Sequence, residues 1–223
     1  MVSEHIKSKQ RVADHGEVFT PDWLVKDMLD LVKPETERID ARFLEPACGT
    51  GNFLIEVLRR KLHTVEKRYA KNQYDYERYA VLALSALYGI DLLEDNAKEC
   101  RRRLYQTFDQ AYTALFDKKA KDACRQSARY ILQRNIICGD ALSLQTVGEN
   151  PQPIVFSEWS LVNEVFIKRR DFAFHTLLAH TVQDLPLFSD KGEEVFIPKP
   201  VKEYPLVHFL ELAKTHDNDN HHN

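Results

Sequence analysis

Phe43-Leu44-Glu45-Pro46-Ala47-Cys48-Gly49-Thr50-Gly51-Asn52-Phe53-Leu54-Ile55 is the stretch on which the reading of this chain turns. It begins with a short run suited to a strand and passes through a glycine pair. It then enters residues 52–62, where Leu54, Ile55, Leu58 and Leu62 mark one face of a helix. The chain has seven glycines in 223 residues, so two of them within three positions carry information. Strand, glycine turn and helix open a nucleotide-binding βαβ unit, because a residue without a side chain lets the backbone approach a ligand. Tyr88-Gly89-Ile90-Asp91-Leu92 and Asn135-Ile136-Ile137-Cys138-Gly139-Asp140 predict two further strands, each ending in an acid. An acid at such a strand tip commonly accepts from ribose hydroxyls. An ordinary nicotinamide site is disfavoured: no third glycine follows Gly51, and Asp91 lies much further on than the roughly 20 residues of that fingerprint.

Working outward, residues 79–87 form an apolar run whose alanines and leucines favour helix, and residues 95–104 are amphipathic, with Arg101, Arg102 and Arg103 on the polar face. Residues 105–134 read as a helical insertion. Residues 21–32 read as a helix with Thr20 as its cap and Pro21 at its first position. Ile154-Val155-Phe156 is the candidate fourth strand. Residues 188–205 suggest loop or hairpin, residues 206–214 a last short helix, and residues 217–223 a polar, disordered tail. The alternation implies an α/β fold with a doubly wound, mostly parallel, Rossmann-like sheet.

Composition narrows the function classes. Thirty-one Lys and Arg against 34 Asp and Glu give a net charge of −3, so nucleic-acid binding would need a local patch; Lys168-Arg169-Arg170 is the candidate. No apolar run reaches the roughly 18 to 20 residues of a membrane span, and the start lacks a secretory core, so a cytoplasmic protein without membrane partners is expected. The four cysteines are scattered without a CxxC pair, and His175 and His180 do not share a helix face, so neither a disulfide framework nor a metal site is expected.

Several elements together resemble the adenine-specific amino-DNA-methyltransferases of restriction-modification systems. Glu45-Pro46-Ala47-Cys48-Gly49-Thr50-Gly51-Asn52-Phe53 is similar to that family's (D/E)PACGTGNF loop, and Val18-Phe19-Thr20-Pro21 to the FTP element that precedes it and packs on the cofactor. Gly89-Ile90-Asp91 stands at the position of the ribose-binding acid, and Gly139-Asp140-Ala141-Leu142 at that of the acid meeting the adenine amine. The resemblance spans about residues 15–145. It implies S-adenosyl-L-methionine as cofactor, held by Phe19, Thr20, Pro21, Glu45, Pro46, Ala47, Gly49, Gly51, Asn52, Phe53, Asp91, Leu92, Asp140 and Ala141, with the methionine end over the Gly51 backbone. It implies DNA as substrate. The corresponding organisation is a cofactor-covering helical segment over residues 1–40, a binding core over 41–160, a small extension over 161–216 and the tail.

The family's fourth-strand motif, (D/N/S)PP(Y/F/W), supplies acceptors for the target amine and an aromatic for the extruded base. This sequence has no such motif. Asn150-Pro151-Gln152-Pro153 lacks the aromatic, and Ser157-Glu158-Trp159 lacks the prolines but follows the candidate fourth strand, so Ser157, Glu158 and Trp159 are the expected acceptors and stacking residue. Two organisations follow: a methylase or methylase subunit, with a partner subunit supplying target recognition or nuclease activity, or a non-catalytic cofactor-binding relative. A methyltransferase acting on RNA or protein is the further alternative.

Overall fold

A computed structural model describes residues 9–15, 20–183 and 198–215. Phe19, residues 188–197 and the 217–223 tail lie outside the described residues. The elements run α1 (Lys9–His15), α2 (Asp22–Asp30), α3 (Lys33–Glu37), β1 (Phe43–Glu45), α4 (Asn52–Tyr69), α5 (Gln73–Ser85), β2 (Leu87–Asp91) and α6 (Glu94–Phe116). They continue through a 3-10 turn (Asp117–Lys119) to α7 (Asp122–Asn135), β3 (Ile136–Asp140), β4 (Gln145–Thr146), β5 (Val155–Val162), β6 (Phe166–Ala173) and α8 (Phe174–Gln183). The short strands β7 (Lys202–Glu203) and β8 (Val207–His208) and a 3-10 turn (Leu212–Thr215) follow.

Hydrophobic spacing explains the helices. Ala97, Cys100, Leu104, Phe108 and Tyr112 recur every three to four residues along α6 and are all buried. The expected 95–104 helix therefore extends to Phe116, and the 105–134 insertion is its second half plus α7. Asn72 caps α5, its side chain accepting from the Tyr74 and Asp75 amides. Thr20 does not cap α2. Pro21 holds the cap position in an extended conformation and its carbonyl accepts from Val25 N–H. Just ahead of β1, the fully buried Lys61 donates to the carbonyls of Arg38, Ile39 and Ala41, so α4 fixes the entry into the sheet.

The first sheet has the order β1-β2-β3-β4, with β1 parallel to β2, β2 parallel to β3, and β4 antiparallel to β3. Its faces are unlike. Phe43, Leu87 and Ile136 turn toward a core shared with α4, α5, α6 and α7, while Tyr88, Ile90 and Ile137 turn toward Ile154, Phe156 and Phe174. Four helices thus lie on one face, and the other is covered by the 154–156 segment and the start of α8.

The expected fourth strand takes a different course. β5 belongs to a second, antiparallel sheet: it pairs with β6 along its whole length, from Val155 opposite Ala173 to Val162 opposite Phe166, and β7 and β8 pair with β6. Asn163 and Glu164 turn the hairpin with positive φ. The boundary expected at residue 160 falls inside β5, and the region expected as a last helix begins as β8. Trp159, Ile167, Phe209 and Leu212 join the same core as α4–α7, so the hairpin and residues 207–213 extend that core.

The hairpin docks at the amino ends of β1–β3. Trp159 is 5% exposed and its Nε1–H donates to Asn135 Oδ1 at 3.0 Å, while Asn135 Nδ2 donates to the carbonyls of Ser85 and Leu87. Asn135 thereby joins the hairpin to the start of β2 and β3. Trp159→Phe removes one donor and leaves a buried amide oxygen unpaired, a cost of about 1–3 kcal/mol. The expected outcome is a lower urea midpoint, measured by denaturation; an unchanged midpoint would contradict the anchoring role.

Candidate functional site

At the opposite, carboxyl ends of β1, β2 and β3 lies a cleft of about 570 Å³. Its walls come from the 45–53 loop, from the strand tips at Asp91 and Asp140, and from Thr20 ahead of α2. That volume suits a nucleotide-sized ligand. Of the expected cofactor residues, Thr20, Glu45, Pro46, Ala47, Gly49, Asn52, Phe53, Asp91, Leu92, Asp140 and Ala141 line it. Pro21 and Gly51 do not form its wall.

The loop is tied down at each turn. Cys48 N–H donates to Ile90 O and Gly51 N–H to Cys48 O, both at 2.8 Å, and Gly51 O accepts from Ile55 N–H to begin α4. Gly49 has φ 52° and its N–H donates to Asp91 Oδ2 at 2.8 Å, joining the loop to the tip of β2. Asp91 Oδ1 accepts from Leu93 N–H at 2.9 Å and from Asn96 Nδ2 at 3.2 Å. Asn52 Nδ2 donates to Thr20 O at 2.9 Å, bringing the start of α2 to the rim.

Gly51 is also required by the core behind the loop. At φ 92° it occupies backbone space that side chains rarely adopt, and a Cβ there would stand 2.7 Å from Cys100 Sγ on α6. The missing side chain makes room for the core behind the loop, while Gly49 and Thr50 line the cleft. The Cys48 thiol is pushed up, first by its hydrogen bond with the Cys100 thiol and then by burial, with the Asp91 and Glu45 charges adding to this. It is a neutral filler and not a nucleophile.

The charge in the cleft is one-sided. Glu45, Asp91 and Asp140 all line it, and the described lining residues include no Lys or Arg. Burial pushes the Glu45 carboxyl up, partly offset by the Ala47 amide. The Leu142 amide and the Ser143 hydroxyl hold Asp140 below its ordinary value, so it is ionised at neutral pH. Leu92 and Leu142 stand 45% and 95% exposed beside these acids, apolar plates at the tips of β2 and β3. Such a cleft favours a ligand that offers hydroxyl, amine and cationic groups over one that brings phosphates.

Thr50, Leu93, Asn96, Gly139 and Leu142 line the cleft without having been expected as site residues, and Arg103 supports it from behind. Leu142 followed the acid in a turn that periodicity does not resolve. Arg103 read as part of a solvated helix face, yet its guanidinium donates to Thr50 O at 2.8 Å, Thr50 Oγ1 at 3.0 Å and Asn52 Oδ1 at 2.8 Å, clamping the loop from α6. Its place on α6, opposite the loop only once the chain has folded, gave no local signal.

Ser157, Glu158 and Trp159 are not brought to this cleft. They lie in the middle of β5, at the amino ends of the parallel strands, and strands of five residues put roughly 13 Å or more between the two ends. Ser157 Oγ donates to Asp171 at 2.7 Å, and Glu158 pairs with Arg42 and Arg170, each at 2.6 Å. Ser157 and Glu158 line a separate cleft of about 480 Å³, beside Leu44, Tyr88 and Phe172. In the expected phosphate-contacting patch, Lys168 pairs with Glu203 at 3.0 Å and Arg170 with Glu158. Arg169 is buried, bound to Asp171 at 2.6 Å and stacked 3.9 Å over the Tyr204 ring. Each of the three cations is thus matched by a carboxylate inside the hairpin sheet.

A glycine loop and strand-tip acids around the carboxyl ends of parallel strands define an α/β protein with a cleft at the strand ends. Residues 25–155, more than half of the chain and including every loop and strand-tip residue of that cleft except Thr20, match the family model described as MmeI, DNA-methyltransferase domain. The chain belongs to that family, and its mixed α/β fold with a parallel three-stranded core is compatible with a methyltransferase fold. Searches of curated proteins and of solved structures gave no match.

Gly51→Ala should destabilise the chain by about 1–3 kcal/mol, through overpacking against Cys100 and backbone strain. Adding Cys100→Ala should return part of that loss. Thermal denaturation of the single and double variants measures it, and strict additivity of the two substitutions would contradict the clash.

Proposed function

We propose that the carboxyl-end cleft binds S-adenosyl-L-methionine and that the chain serves as a methylase subunit of a restriction-modification system acting on the amino group of adenine in DNA. One observation carries the reading: among the described residues, three carboxylates and two apolar plates line the cleft without a cation. A dinucleotide would set its pyrophosphate against those acids, whereas a sulfonium nucleoside brings a positive charge, ribose hydroxyls and an adenine amine. When bound, the cofactor supplies a methyl group on a positively charged sulfur. Asp91 accepts from a ribose hydroxyl, Asp140 accepts from the adenine amine, Leu92 and Leu142 cover the faces of the base, and Glu45 lies at the loop where the cationic end fits.

The target amine needs its own acceptors beside the methyl donor, and Ser157, Glu158 and Trp159 are held at the other end of the sheet by the partners described above. The acceptors and target recognition are therefore assigned to a partner subunit, and the working compartment to the cytoplasm. That same placement favours a second reading, a non-catalytic cofactor-binding subunit.

Transfer of tritium from labelled S-adenosyl-L-methionine to genomic DNA, with and without the products of neighbouring genes, separates the two. Transfer that appears only with a partner supports the methylase subunit; cofactor binding without transfer in any combination supports the second reading. Asp91→Asn keeps the shape of the side chain and removes its charge. Loss of a hydrogen bond to a charged acceptor, about 1.5–3 kcal/mol, should weaken cofactor binding roughly ten- to hundred-fold by calorimetry. Unchanged affinity would overturn the role given to Asp91.

A further inference from the structure

Asp91 is held by more than its own turn. Asn96, on the first turn of α6 and 2% exposed, donates from Nδ2 to Asp91 Oδ1 at 3.2 Å and accepts at Oδ1 from Arg11 of α1 at 3.4 Å. Arg11 also makes a two-pronged pair with Asp95, NH1 to Oδ2 at 2.9 Å and NH2 to Oδ1 at 3.1 Å. Guanidinium can only donate and a carboxylate can only accept, so the amide of Asn96 has one orientation that satisfies both neighbours. Arg11 fixes that orientation from outside the parallel core.

The consequence lies in how many acceptor sites the acid retains. An ionised carboxylate offers about four lone-pair positions. At Asp91, Oδ1 receives two donors, from Leu93 and Asn96, while Oδ2 receives one, from Gly49. One position is left, on Oδ2, and both Asp91 and Asn96 line the cleft. Without Asn96 the carboxylate gains an unfilled position on Oδ1 and loses one of the three bonds that hold its plane.

We propose that Asn96, oriented by Arg11, is a positioning residue that presents Asp91 Oδ2 to a single sugar hydroxyl and thereby sets the preference of this site for ribose over deoxyribose. The proposal rests on the reading of the cleft as an S-adenosyl-L-methionine site. It makes the docking of α1 part of sugar recognition, although no α1 residue is among the described residues that line the cleft. A structural role alone would weaken every ligand of the cleft alike, whereas positioning acts only on ligands carrying the recognised hydroxyl.

The test is calorimetric titration of the full chain with S-adenosyl-L-homocysteine and with its 2′-deoxy and 3′-deoxy analogues, for the parent, Asn96→Ala and Arg11→Ala. The parent should bind the ribose form at least about tenfold more tightly than one of the deoxy forms, the effect of one hydrogen bond to a charged group. In Asn96→Ala that ratio should fall below about threefold, the affinity for that deoxy form staying within about twofold of the parent. Arg11→Ala should lower the ratio in the same direction; its side chain is partly exposed, so it keeps the test open should Asn96→Ala fail to fold. Equal losses for ribose and deoxy forms, or an unchanged ratio in folded variants, would overturn the positioning role and leave the cofactor reading standing. A parent that binds none of the three would overturn both.

Discussion

The cleft depends on one hydrogen bond, from Gly49 N–H to the carboxylate of Asp91. It spans the tips of adjacent parallel strands and turns a loop and a strand end into two walls of one site. Its geometry requires a left-handed backbone at Gly49, a sharp return at Gly51 and the small Cys48 side chain beneath them. Each of these draws on the next layer. Gly51 rests against Cys100 of α6, Arg103 of α6 holds Thr50 and Asn52, and Asn96 of α6 holds Asp91. α6 is therefore the element that organises the site, with its buried stripe on the core and its first three turns on the loop.

A second consequence concerns what the two ends of the parallel strands do. The carboxyl ends gather acids, open backbone and exposed apolar plates; the amino ends are closed by the β5–β6 hairpin through Trp159 and Asn135. The buried Arg169–Asp171 pair, joined by Ser157, Tyr130 and Tyr204, locks that hairpin. Such a network is costly to break, because removing one partner strands a buried charge. Among the described residues a paired network closes the amino ends of the strands and an acidic cleft opens at their carboxyl ends, where α/β sheets place their ligand sites.

The sequence made some of this legible and hid the rest for physical reasons. The 45–53 loop, the acids at 91 and 140 and the helical stripe after the loop are local patterns, each visible within a dozen residues. The hairpin is not local. Along β5 a buried Ser157 interrupts the apolar alternation, and Lys168-Arg169-Arg170 has the look of a solvated basic patch until cross-strand pairing puts Asp171 opposite Ser157 and Glu158 opposite Arg170. The expectation that Ser157, Glu158 and Trp159 end a strand beside the cofactor assumed that 154–156 joins the parallel sheet. Backbone pairing over the whole of β5 sends it elsewhere. Arg103 and Arg11 act across long sequence separations, so their positions became meaningful only in the folded chain.

The most direct test of the central claim, that the Gly49–Asp91 junction builds a cofactor cleft, is a crystal structure of the chain grown with S-adenosyl-L-homocysteine. The account predicts the ligand at the carboxyl ends of β1–β3, with a ribose hydroxyl oxygen about 2.7 Å from Asp91 Oδ2 and the adenine between Leu92 and Leu142. Density for the ligand elsewhere, or in the cleft with its ribose turned away from Asp91, would contradict it.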